Sequence, residues 1–199
     1  MLRTVSRTVL CVAVALAAAC ASSPPSRFYT LNSTASSGAA SGAATSKLSV
    51  IVGPVSIPSI VDLPQIVVST GPNQVTIDEY NRWASPLPNN ISRVVAENLV
   101  QLLGTPRVSQ FQQSLSADGD YRVAIEVQTF DSAPGDAATL NAAWLVRRAR
   151  DGKSETGRTT VREPAAEKSF DALAAAHSRA LSRMSQDIAD AVRALDRAP

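Results

Sequence analysis

From Lys47 onward the chain switches between two hydrophobic periods, and the switch points divide it into elements. "KLSVIVGPVSI" is a near-continuous run of Val and Ile, the pattern of a buried strand, and Pro58 ends it. "PQIVVSTGPNQVTIDEY" splits into two short strands around Thr70-Gly71-Pro72-Asn73, residues that supply bends and a fixed φ. Asp62, just before Leu63-Pro64, reads as a turn residue. In "NNISRVVAENLVQLLGTP" the apolar positions are Ile91, Val94, Val95, Leu99, Leu102 and Leu103. Steps of three and four predict a helix that Asn89 or Asn90 caps and Gly104 ends, with Pro106 barring continuation.

Strict alternation returns in "YRVAIEVQTF", which sets Tyr121, Val123, Ile125 and Val127 against Arg122, Glu126 and Gln128. "TLNAAWLVRRA" repeats it with Leu140, Ala142, Trp144 and Val146, and Asp151-Gly152 turns the chain into "ETGRTTVR". These segments predict an antiparallel meander with one buried face. The closing stretch carries Phe170, Leu173, His177, Leu181, Met184, Ile188, Val192 and Leu195 at helical spacing, a long amphipathic helix. The order strands, helix, strands, helix implies an α/β fold: a mixed, largely antiparallel sheet with two main helices packed on it, an α/β sandwich.

Ahead of this domain the pattern is different. Arg3 and Arg7 precede an uncharged, largely apolar run from Val9 to Ala19, which meets Cys20 and then turns polar. A spanning helix needs about 20 apolar residues, so the run is too short to cross a membrane and fits an export signal. Three fates remain open on the residues alone: cleavage by a general signal peptidase, acylation of Cys20 as a bacterial lipoprotein, or an uncleaved anchor. Small residues before the cysteine favour acylation, although Ala17 stands where the lipoprotein pattern prefers Leu. The predicted organisation is a lipoprotein signal peptide at 1–19, a membrane tether at 20–26, and one domain at 27–199. Arg27-Phe28-Tyr29-Thr30-Leu31 has high strand propensity and is expected to dock as an edge strand. Residues 32–46, all small and uncharged, form a flexible Ala/Gly/Ser loop, and Ala21 to Ser26 leaves a tether of about 20 Å at full extension.

Charge and cysteine content narrow the chemistry. Without Arg3 and Arg7 the remaining 17 basic residues balance 17 acidic ones, so the domain lacks the basic excess that nucleic acid demands. Cys11 and Cys20 are the only cysteines, which leaves no disulfide framework and no thiolate metal site in the domain. A single histidine, His177, on the apolar stripe, reads as a core or interface residue with a hydrogen-bond partner. No nucleophile elbow and no phosphate-binding loop occurs, so any ATPase must be a partner subunit. No catalytic residue, cofactor or metal is expected. Trp144 and Val146 read as core, with the lining of a lipid-holding cleft as the other reading; Met184 reads as core.

More specific than any period is the order of short motifs. V-G-P-V, I-V-D-L-P-Q-I-V, N-R-W-A-S-P-L and R-V-V-A-E-N-L follow one another in the middle of the chain. F-Y-T-L precedes them, and Y-R-V-A-I-E-V-Q-T-F, A-A-W and D-A-L-A-A-A-H-S-R-A-L come after. In this, essentially the whole mature chain resembles the PqiC family of ABC-type transport auxiliary lipoproteins. The resemblance implies a non-enzymatic lipoprotein of a trans-envelope lipid transport system. Its implied partners are a periplasm-spanning MCE-domain protein and, indirectly, an inner-membrane permease and ATPase or a Pqi-type integral membrane protein. Cys20 would carry the lipid, and Ala21 after it permits transfer to the periplasmic face of the outer membrane. Members can assemble into a ring. Arg82 and Trp83, types favoured at interface hot spots, are candidates for docking a partner; packing of Trp83 on the first helix and pairing of Arg82 with Asp78 or Glu79 is the competing reading. The alternative function is a periplasmic lipid-binding carrier or chaperone.

Overall fold

Among the described residues of the computed structural model (24–35, 47–111 and 119–199) the elements follow the order of the hydrophobic pattern. They run β1 (Arg27–Tyr29), β2 (Val50–Ser56), a 3-10 turn (Ser59–Val61), β3 (Gln65–Gly71) and β4 (Gln74–Trp83). Then come α1 (Leu87–Leu103), β5 (Val108–Gln110), β6 (Tyr121–Ala133), β7 (Ala137–Arg148), β8 (Ser154–Pro164) and α2 (Phe170–Arg197). The leader, Cys20 and most of the Ala/Gly/Ser loop lie outside the described residues.

The strands form two sheets rather than one. A five-stranded sheet has the order β5-β2-β6-β7-β8, with β2 parallel to both neighbours and β6 to β8 the expected antiparallel meander. A three-stranded sheet has the order β1-β4-β3. There β3 and β4 make the expected hairpin, and β1 joins as a parallel edge strand, placing Phe28 opposite Arg82. The class is the expected α/β fold, and the second sheet is what alternation alone could not reveal. Whether a hairpin extends a sheet or starts another depends on its bulges: β4 carries three extra residues against β3 between Ile77 and Arg82. Such a bulge bends and twists the strand away.

Both helices pack on one face of the five-stranded sheet, α1 over β2 and α2 over β7 and β8, and against each other. The core between them takes Val50 and Val52, Val123, Ile125 and Val127, Leu140 and Val146 from the sheet. From the helices it takes Ile91, Val95 and Leu99, and Leu173, Leu181, Met184, Ile188 and Val192.

Helix α1 begins differently from expectation. Neither Asn89 nor Asn90 caps it; Pro86 precedes its first residue and Pro88 lies in the first turn, where a missing N–H and a fixed φ cost nothing. Asn90 is instead buried inside the helix, accepting hydrogen bonds from Arg93 and Thr30. Gly104 ends the helix as expected, in the left-handed region at φ 64°. Helix α2 starts at Ser169, whose hydroxyl accepts from the Ala172 N–H.

Candidate functional site

Strand β1 continues into a strap that crosses the helices, and buried polar side chains hold it there. Leu31 is fully buried. The Asn32 N–H donates to Ser178 Oγ at 3.1 Å, and Ser33 Oγ donates to Asn98 Oδ1 at 2.7 Å. The amide nitrogen of Asn98 reaches Ser185 Oγ at 3.1 Å, so one buried side chain links the strap to both helices. Each pairing satisfies a group that would otherwise be costly to bury. The segment after β1 is therefore fixed to the body of the domain.

Arg82 and Trp83 sit at the end of β4 beside β1, and the two side chains part company. Trp83 is only 6% exposed and meets Phe130 of β6 edge-on, centroids 6.2 Å apart. Phe130 stacks in turn on His177, centroids 3.7 Å apart and planes within 6°. Three rings thus join the small sheet, the large sheet and α2. Arg82 stays at the surface and donates from Nε to the Glu79 carbonyl at 3.2 Å. Only Arg82 of the pair offers contact area to a partner.

Between Ile77 and Arg82 the bulge is organised by Asp78, whose carboxylate accepts from the Tyr80 and Asn81 N–H groups at 2.9 and 2.8 Å. Partial desolvation works against ionisation, but hydrogen bonds from Asn81 and Tyr80 outweigh it and hold the Asp78 carboxyl below its usual range. The bulge exposes Tyr80. Elsewhere on the hairpin Ile77 is exposed, and exposed Val75 and Ile60 of the 3-10 turn border a groove of about 160 Å³ that Val67 and Phe130 also line. Asp62 closes that turn with a backbone bond to Ser59, the role expected of it.

The opposite face of the five-stranded sheet carries a shallow depression of about 400 Å³, open to solvent, with Pro54, Ala124, Glu126, Ala143, Leu145 and Thr156 around it. Trp144 and Gly157 also border it, whereas Val146 turns the other way. Val146 is fully buried, and the indole lies over Gly157, where a Cβ would stand 2.1 Å from the ring. Trp144 Nε1 donates to Thr159 Oγ1 at 3.1 Å, which anchors the ring to β8. Met184 is core.

His177 accepts or donates one hydrogen bond, between Nε2 and Ser132 Oγ at 2.8 Å, and burial pushes its pKa down to about 3. A serine and a histidine in contact invite comparison with a hydrolytic pair. Both are sealed from solvent, and His177 Nδ1 has no partner to orient it. A substrate carbonyl has no route to them. Sequence reasoning missed Ser132, which lies just past the Y-R-V-A-I-E-V-Q-T-F motif, and gave no role to Phe130, the last residue of that motif. Among the described residues no group of three or more His, Cys, Asp or Glu side chains could hold a metal, and no helix is long and apolar enough to cross a membrane.

Comparison with known proteins adds what geometry cannot. Residues 29–189 match the family model described as an ABC-type transport auxiliary lipoprotein component. A crystal structure from Xanthomonas campestris, of a protein assigned to the DUF330 family, is similar with a TM-score of 0.70 and 20% identity. The match covers 86% of this chain and 98% of that one. A second crystal structure, of an uncharacterised protein, gives 0.67 and 19%, over 85% and 99% of the two chains. At such identities the likeness speaks for the fold alone. No curated protein matches the chain.

Proposed function

Because the chain belongs to the ABC-type transport auxiliary lipoprotein family, the family its motifs resemble, we propose that it is the outer-membrane lipoprotein of an MCE-type lipid transport system. In this reading Cys20 is acylated, the domain stands at the periplasmic face of the outer membrane, and it docks a periplasm-spanning MCE-domain protein. That partner connects it to an inner-membrane permease and ATPase, or to a Pqi-type membrane protein. The role is mechanical: the anchor holds the domain at one membrane, the exposed hairpin residues Val75 and Ile77 of the small sheet offer a surface, and copies assemble into a ring around the partner. The observation that carries the reading is a family match beginning at residue 29, nine residues after a cysteine that ends an export signal and has no cysteine behind it.

Two chains holding a diacylated cysteine would be bound stably, since each buried methylene contributes about 0.8 kcal/mol and a single chain holds only marginally. The expected mature N-terminus is a modified Cys20, and mass spectrometry of the outer-membrane fraction checks it; an unmodified start at Cys20 or Ala21 overturns the anchor. Capture of the MCE-domain protein from detergent extracts, with sizing of the purified lipoprotein, checks the docking role. A ring-sized species that retains the partner is expected. A monomer that co-purifies with one lipid per chain would replace docking with the carrier function.

A further inference from the structure

The anchored reading of Cys20 puts a lipid surface within a short reach of β1. Resting on that reading, we propose that Phe28, Tyr80 and Arg82 form a bilayer-contacting surface that seats the domain in the headgroup layer. The three lie on the outer side of β1 and the β4 bulge.

Phe28 is the most exposed large hydrophobic side chain among the described residues, at 64%. Its place in the chain is what gives that exposure meaning. Strand β1 is the root of the tether, and Phe28 stands eight positions after Cys20, about 28 Å at full extension. Pro24 and Pro25 lie in that stretch and stiffen it. The root itself cannot swing away. Tyr29 points inward, lies against Phe170 with centroids 5.9 Å apart, and donates from its hydroxyl to Asn81 Oδ1 at 2.9 Å. The strap bonds to Asn98 and Ser178 hold the following residues. Phe28 is thus carried on a rigid element directly beside the anchor.

Neighbours on the same side fit a lipid headgroup layer. The β1–β4 register sets Phe28 beside Arg82, and Tyr80 stands two residues earlier on β4, 40% exposed. Rings with an apolar body and a wet hydroxyl belong at that depth, and a guanidinium there can reach phosphate oxygens. Arg27 and Arg82 are balanced by Asp78 and Glu79, so attraction to anionic lipid is not the driving term. The surface sits by aromatic partition. Three side chains also fall well short of the roughly 800 Å² per partner that a stable protein interface buries, whereas a bilayer demands no complementary shape.

The mature chain provides its own test, because Cys20 is consumed by acylation and the domain has no other cysteine. A single thiol at Phe28→Cys, Tyr80→Cys or Arg150→Cys can carry an environment-sensitive fluorophore in the full-length lipoprotein, reconstituted in phosphatidylethanolamine–phosphatidylglycerol vesicles. Arg150 is the reference: it bonds to the Ala198 carbonyl at the far end of α2, about 40 Å from Phe170 by helix rise. The expected result is blue-shifted, several-fold brighter emission at positions 28 and 80, quenched by nitroxide-labelled lipid, with neither effect at 150. Emission at 28 as aqueous as at 150 overturns the proposal. A blue shift at 28 that lipid nitroxides do not quench also overturns it, since protein rather than lipid then covers the face. An intact mass lacking acyl chains fails the anchored reading instead and removes the premise.

Discussion

Strand β6 of the five-stranded sheet and strand β4 of the three-stranded sheet treat their apolar residues in opposite ways. On β6 the alternating positions Tyr121, Val123, Ile125 and Val127 are at most 3% exposed, because two helices cover that face. On β4 the residues Val75, Ile77 and Tyr80 are all at least 40% exposed, and nothing among the described residues covers them. The same kinds of side chain therefore do different work. In the large sheet they hold the fold together; Val75, Ile77 and Tyr80 of β4 are surplus to it and available to something outside, while Ile66, Val67 and Val68 of β3 and Trp83 belong to the core. A pattern that follows its period strictly marks core, and apolar residues left in solvent mark contact surfaces.

The largest expected effect is in the covered face. Leu181→Ala, fully buried on α2, should lower the unfolding free energy by about 2–5 kcal/mol in urea titrations. If it cost no more than a surface change, the contrast between the sheets would fail. Gly157→Val should cost about 1–3 kcal/mol through overpacking, since the added carbons meet the Trp144 indole. Loss of the Trp144 signal in near-ultraviolet circular dichroism would accompany it.

Acid should act through the ring stack between the sheets. His177 titrates near 6.5 when unfolded and at about 3 when buried, so unfolding takes up a proton across that window. Its stability is complete above pH 6.5 and declines as pH falls toward 3, by about 1.4 kcal/mol per unit. About 2 kcal/mol should be gone by pH 5. His177→Gln, which keeps a polar partner for Ser132, should flatten the slope between pH 6.5 and 4.5; an unchanged slope would mean the ring is hydrated. Lower still, Asp151 contributes in the same direction. A hydrogen bond from buried Arg148 holds its carboxyl at about 2, so its pairing is lost only in stronger acid.

The smallest stability effects belong to the small sheet. Ile77→Ser and Arg82→Ala should each change unfolding free energy by no more than about 0.5 kcal/mol. Capture of the proposed MCE-domain partner should nonetheless weaken for Ile77→Ser. Full stability with full capture would remove Ile77 from the docking surface.

How much was legible in advance differs between these regions for a physical reason. The meander, both helices and the hairpin were readable because each carries its own period. The short parallel strand β5 was not, since three residues hold no period and Val108–Gln110 becomes a strand only by pairing with β2. The start of α1 departs from expectation because asparagine is a strong cap in isolation, whereas here Asn90 serves the strap, Pro86 precedes the helix and Pro88 lies in its first turn. Of the candidate site, Arg82 stays at the surface, but the burial of Trp83 depends on Phe130 and His177, 47 and 94 residues away.

By itself the sequence determined the α/β class, the family and the chemistry that is missing: a charge-balanced domain with no cysteine behind Cys20 and one histidine. Those properties are composition, local period and motif order, all of which survive in an unfolded chain. The tertiary structure alone decided that there are two sheets, that Trp83 is interior while Phe28 is not, and that Ser132 meets His177. Each of these turns on which distant surfaces exclude water from one another, and no local pattern carries that information.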